Sequence, residues 1–178
     1  QKPVEPVADE NAAPPVAATA TFGVNPVAPV ATAPQTAVDQ GRWTAVTPDG
    51  SMRLDGEWAF VELDDLIASN DDGYAQALQP RSRDAVAAKL QVGRIAAKLD
   101  PSRLMDAPTT DQGAPIVTAD GMVLSGNGRT MAMRQARQGG QLGGYEAGVR
   151  ARAAEMGVDV SGLRNPVLVR RLPAGMTV

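Results

Sequence analysis

The chain contains no cysteine and no histidine. The first absence removes any disulfide framework, thiol nucleophile or thiolate metal site. The second removes the commonest general base and the commonest transition-metal ligand. Aromatic residues are scarce, with two Trp, two Tyr and two Phe, too few to assemble a base-stacking platform for single strands. No apolar run approaches the length of a membrane span, so no membrane partner is expected. The first residue is not Met, and no basic start leads into an apolar run, which argues against a signal peptide. Such a beginning suggests a piece of a longer protein, with other domains of the same chain as partners.

What is present divides in two. Residues 1–40 hold ten Ala, seven Pro and seven Val, a composition that reads as an extended, disordered linker. Residues 41–178 are long enough for one modest core. The net charge of −3 conceals a gradient. Residues 41–120 carry 8 basic and 13 acidic side chains, whereas residues 121–178 carry 8 basic and 3 acidic. All the cations of the last third are arginine, the side chain suited to bidentate phosphate contacts. That bias is compatible with nucleotide or nucleic acid, and equally with a GC-rich coding sequence.

Along residues 41–178, Trp43 to Val46 alternates like a strand and Pro48-Asp49-Gly50 is a strong turn signal. Asp55-Gly56 reads as a second turn, giving a small β-meander that ends on a strand Glu57 to Glu62. Leu63 to Ser69 reads as a short helical or loop segment, and the polar stretch to Asp84 as surface loop. The clearest helix follows. Val86, Leu90, Ile95 and Leu99 share one face, Ser82 or Asp84 can cap its start, Gly93 can kink or divide it, and Pro101 follows its end. After a short turn at Pro101 to Met105 come strand Pro115 to Thr118, a turn at Asp120-Gly121, strand Met122 to Leu124, and helix Thr130 to Gln138. A helix Tyr145 to Met156 and a strand over "NPVLVRRL" complete the order. It fits a compact α+β domain.

Chemistry concentrates at Ser125-Gly126-Asn127-Gly128-Arg129-Thr130, where a strand delivers the chain to a glycine turn that opens a helix. The first helical N–H groups lack intrahelical partners and sit at the positive end of the helix dipole. Glycines let backbone approach an anion closely, and an arginine in the first turn supplies a fork of donors. These parts make a phosphate cradle. The bland alternative is a glycine turn with a solvated arginine. The spacing is neither a Walker A loop nor a dinucleotide fingerprint. The acidic pairs Asp64-Asp65 and Asp71-Asp72 read as a turn start and a solvated loop. Arg134 and Arg137, one turn apart, either track a phosphate backbone or form a solvated face, and Met131 and Met133 read as core filling.

"GAPIVTADGMVLSGNGRTMAMRQA", taken with "ELDDLIASN", "LQPRSRD", "RIAAKLDPSRL" and "NPVLVRR", resembles the ParB/sulfiredoxin superfamily, and most closely the DdrB-like ParB domain of polyvalent proteins from phages and conjugative elements. The resemblance implies a small mixed β-sheet with packed helices. It also implies a nucleoside triphosphate ligand, CTP or ATP, with Mg2+ as a candidate companion, and a link to DNA. In nucleotide-binding ParB proteins a Gly-Glu-Arg-Arg-type turn grips the triphosphate, and Gly126, Asn127, Gly128 and Arg129 occupy the matching positions. An upstream box that lines the same pocket is matched by Gln79, Pro80 and Arg81. The resemblance thus assigns phosphate contacts to Arg129 and the backbone of Gly126 to Thr130, with Ser125 alongside. Gln79 and Arg81 become pocket residues, and Thr130 a hydroxyl for phosphate or metal. The implied location is cytoplasmic, or a recipient or host cell entered with mobile-element DNA.

The departures narrow this. Sulfiredoxin carries its catalytic cysteine where Asn127 stands, so its reductase chemistry is excluded here. Nuclease members carry an Asp-Gly-His-His-Arg-like motif whose acid and histidines are missing. ParB proteins usually have Glu at the position of Asn127, and its loss weakens metal binding and water activation. Nucleotide binding is therefore the leading expectation. A magnesium-dependent DNase or NTPase, with catalytic residues unassigned, and a ligand-free interaction module are the alternatives.

Overall fold

The computed structural model describes residues 41–75 and 85–176. The expected linker at residues 1–40, the helix caps Ser82 and Asp84, and the Gln79-Pro80-Arg81 box lie outside the described residues. The described chain is an α+β domain built on a mixed five-stranded sheet. Its strands are β1 (Arg42–Val46), β2 (Arg53–Glu62), β3 (Ile116–Val117), β4 (Val123–Ser125) and β5 (Pro166–Arg171), in the order β1-β2-β5-β3-β4. Pairing is antiparallel except between β3 and β5, which run parallel.

β1 and β2 form a hairpin rather than a meander. The turn at Pro48-Asp49-Gly50 is where the sequence places it. Gly50 takes φ 71°, and the Asp49 carboxylate accepts from the Thr47 hydroxyl at 2.5 Å and from the Ser51 amide and hydroxyl at 3.1 and 2.8 Å. Asp55-Gly56, expected as a second turn, instead lies inside the ten-residue β2. The glycine serves a close approach. It faces Trp43 across the ladder, and a Cβ there would fall 2.7 Å from the Trp43 ring and 2.3 Å from the Arg171 carbonyl oxygen. Glycine inside a strand can mark such a close approach as well as a bend.

β5 occupies the centre of the sheet, between β2 and β3. Its first five residues are all buried, as in a strand covered on both faces, and the first four of them are apolar. The carboxylate of Glu62, at the end of β2, fixes its entry by accepting from the Arg164 amide at 2.8 Å and from the Asn165 amide and side chain at 3.0 and 2.8 Å.

Three helices accompany the sheet: α1 (Ala85–Ala96), α2 (Asn127–Gln138) and α3 (Gly143–Glu155). α1 packs on α2, while α3 packs on β5 and on a 3-10 turn at Pro101–Leu104. α1 runs unbroken through Gly93. Only its second half is embedded: Ala96 is buried and Ile95 half-buried, as is Leu99 just past its end, whereas Val86 and Leu90 are 66% and 60% exposed. The expected single apolar face therefore divides between core and surface. α2 begins at Asn127, three residues before the expected start, because Gly126 at φ 98° turns the chain from strand to helix in one step.

Trp58, Phe60, Ile116, Val123, Met133, Tyr145, Val149 and Leu168 form the centre of one core, each large side chain contributing roughly 1.5–3 kcal/mol through burial. The Tyr145 hydroxyl accepts from the Leu168 amide at 3.4 Å, and burial pushes the phenol well above its ordinary pKa. Among the described residues no helix is long and apolar enough to cross a membrane.

Candidate functional site

The β3–β4 hairpin closes at Gly121, φ 89°, and delivers the chain through Ser125 and Gly126 into α2. No side chain caps this helix. A Cβ on Gly126 would sit 2.8 and 3.0 Å from Nη2 and Nε of Arg129 and 3.1 Å from Cα of Pro115. Glycine is thus required twice, for its left-handed backbone and because the Arg129 guanidinium folds back across it. From there Arg129 Nη1 donates to the carbonyl of Asp111.

The other side chains of the turn look inward. Ser125 Oγ donates to the Thr110 carbonyl at 2.6 Å. Thr130 is buried, and its hydroxyl donates to the Gly126 carbonyl at 3.2 Å, so donating to a phosphate would require breaking that bond, and burial keeps its lone pairs from a metal. The Asn127 amide points away from Arg129: Oδ1 accepts from the Ser69 amide at 2.8 Å, and Nδ2 donates to the Val123 carbonyl at 3.1 Å. Only an amide makes both bonds, which accounts for Asn where the resembled turn has Glu.

Arg129 lines a cleft of about 720 Å³. One wall is the face of α1 and its exit carrying Arg94, Ile95, Lys98 and Leu99. The second is the 3-10 turn with Ser102 and Arg103, and the third is the loop at residues 106–113. Four cations, Arg94, Lys98, Arg103 and Arg129, meet three acids, Asp100, Asp106 and Asp111. Among the described residues no aromatic side chain lines it. Asp100 is held below the ordinary carboxylate range by the Ser102 hydroxyl and then its amide. Among the described residues no three acidic side chains cluster as a metal site.

Most remaining arginines of the basic last third are engaged within the fold. Arg134 reaches both Asp71 carboxylate oxygens at 2.9 Å and also donates to the Leu66 carbonyl. Arg137 pairs with Asp64 at 2.7 Å. Arg150 donates to the Val160 and Leu163 carbonyls at 3.2 and 2.9 Å, Arg152 pairs with Glu155 and Arg171 with Glu57. Both the solvated-face reading of Arg134 and Arg137 and the solvated-loop reading of Asp71 are corrected by these pairs. The two arginines strap residues 64–71 to α2.

Of the expected site residues, the structure gathers Ser125, Gly126, Asn127, Gly128, Arg129 and Thr130 in one turn and turns Arg129 alone toward the cleft. Sequence reasoning missed Arg94, Lys98 and Arg103. The four-residue spacing of Arg94 and Lys98 on a helix was the available signal. It also missed Arg170, whose sign was an arginine inside an otherwise apolar strand. Arg170 is fully buried.

No curated protein and no solved structure matches the chain. The model of the ddrB-like ParB superfamily domain matches residues 49–173. That span takes in the glycine turn, the cleft and the central strand, and the chain belongs to this family.

Proposed function

We propose that this domain binds a nucleoside triphosphate, CTP or ATP, with its phosphates against Arg129 and its remainder in the adjoining cleft. One observation carries the reading: an uncapped helix start presents an arginine to a cleft whose other walls bring Arg94, Lys98 and Arg103. The dipole of α2, whose first turn carries Arg129, favours an anion near that end. The ligand's base would meet the aliphatic surfaces of Ile95 and Leu99 and the acceptors of the acidic side chains. Magnesium would arrive with the phosphates. The resemblance to polyvalent proteins of mobile elements suggests a role in DNA transactions. On this reading that role runs through the nucleotide-bound state, since most guanidiniums of the basic last third are engaged in the fold.

The test is a thermal-shift panel with CTP, ATP, GTP and UTP, with and without magnesium, on the wild type, Arg129→Ala and Lys98→Glu. Binding to the folded state alone stabilises by mass action, about 2.7 kcal/mol at a hundredfold excess over Kd, a shift of several degrees for a domain of this size. The expected result is a shift with one nucleotide, abolished in Arg129→Ala and reduced in Lys98→Glu, whose exposed side chain is remote from the core. No shift with any nucleotide at millimolar concentration overturns the reading.

A further inference from the structure

Behind one wall of the cleft lies a charge that no ligand can touch. Residues 105–114 form a loop closed by the Ala114 amide on the Met105 carbonyl at 2.7 Å. Gly113, at φ 72° with no room for a Cβ, makes the closure possible. The Arg170 side chain fills the loop. Nε donates to the Ala114 carbonyl at 2.9 Å, Nη1 to those of Thr109 and Ala107 at 3.1 and 3.4 Å, and Nη2 to that of Gln112. Its guanidinium carbon lies 5.5 Å from the centre of the Trp43 ring. Among the described residues Arg170 has no carboxylate within ion-pair distance.

A buried cation without an ionic partner is costly, and an apolar residue of similar volume is often no worse for stability. Its carbonyl cage engages four of the five N–H donors but does not neutralise the charge. We propose that Arg170 is a positioning residue of the cleft, which holds the 105–114 wall in place from inside and adds a second positive charge behind Arg129. The inference rests on the anion-binding reading above and deepens it.

Three further facts agree. The same loop supplies the carbonyl of Asp111 that orients Arg129, so the wall, the cage and the phosphate-facing arginine are one assembly. The loop is pinned on its far side, where the Val46 amide donates to the Pro108 carbonyl at 3.0 Å and the Thr110 amide to that of Val46 at 2.9 Å. Burial, followed by the repulsion of Arg129, lowers the Arg170 pKa to about 10, with Asp106 and Asp111 acting in the opposite sense. An anion beside Arg129 relieves that repulsion. A fixed charge in a low-dielectric wall acts at longer range than one in water.

The experiment compares wild type, Arg170→Met and Arg170→Lys. It measures affinity for the mono-, di- and triphosphate of the nucleotide that best stabilises the wild type, and hydrogen exchange of the amides of residues 107–114. Arg170→Met should weaken monophosphate binding about threefold and triphosphate binding about tenfold or more, because a lost charge costs in proportion to the charge it faced. Arg170→Lys keeps the charge but cannot span four carbonyls. It should exchange faster in the loop and bind several-fold more weakly, by the same factor for every phosphate number. Equal losses for mono- and triphosphate in Arg170→Met overturn the electrostatic role. Should that variant fail to fold, Arg170→Lys decides: wild-type affinity, unchanged loop exchange, or a loss that grows with phosphate number overturns the proposal. Wild-type binding that is indifferent to both variants sinks only the role of Arg170, whereas absence of wild-type binding sinks the nucleotide reading and this role together.

Discussion

Asn127 shows how one side chain is chosen by two backbone groups. An aspartate there would keep the acceptor for the Ser69 amide but set a carboxylate oxygen against the Val123 carbonyl, losing a donor in a half-buried site. That loss costs about 1–3 kcal/mol. A negative charge at the start of α2 returns about 0.3–1 kcal/mol. The loss wins, and Asn127→Asp should lower stability by about 1 kcal/mol, read as a lower urea midpoint with unchanged slope. The glycine-arginine turn was legible from sequence because its chemistry is local. The duties of Asn127, Arg134 and Arg137 were not, since their partners Ser69, Asp71 and Asp64 lie at least 58 residues away. Composition reports that the last third is rich in arginine; only the fold reports what those arginines hold.

At the scale of elements, sequence reasoning succeeded where the turn itself dictates residue type. Gly50, Gly121 and Gly126 each take a positive φ that excludes most other residues, and each was read as a turn. Gly56 was misread as one because a glycine needed for a neighbour's ring looks the same as a glycine needed for its own backbone. The two cases separate by experiment. Gly56→Ala forces a methyl into Trp43 and the Arg171 backbone and should cost about 2–3 kcal/mol as overpacking. Gly50→Ala meets open space and bears only its left-handed backbone, about 1–2 kcal/mol. Equal denaturant midpoints for the two variants would contradict this account of β2. Helix starts were misplaced for a related reason: Asn and Gly read as loop, yet α2 and α3 both begin on such residues.

For the whole molecule, exposed carboxylates set the response to acid. Asp49 is lowered to about 2, first by the Thr47 hydroxyl and then by Ser51. Asp55, Asp100 and Asp159 are lowered in the same way by Thr44, Ser102 and Ser161. Each folded pKa lies below the ordinary value of 3.8, so each contribution is complete above that pH and is lost as the pH falls through the folded value. Asp65 works the other way. Burial raises it, with Glu62 and Asp64 adding to the effect, so its contribution is present in acid and lost as pH rises. The lowered groups outnumber it, and the melting temperature should fall from pH 4 to pH 2. Asp49→Asn should shrink that fall, and an identical profile in the variant would show that the turn carboxylate does not contribute.

The position of β5 bears on how such a chain is made. Its six residues lie at the centre of the sheet yet come last among the described strands, so the strands on either side are made before their shared neighbour. While a ribosome is still adding residues before Pro166, the β1–β2 hairpin has no inner neighbour and the β3–β4 hairpin no bridge to it. Phe60, Ile116 and Tyr145, buried in the finished domain, lack the cover that β5 gives them until then. Completing the sheet therefore depends on a late, long-range pairing, the kind of contact that slows folding.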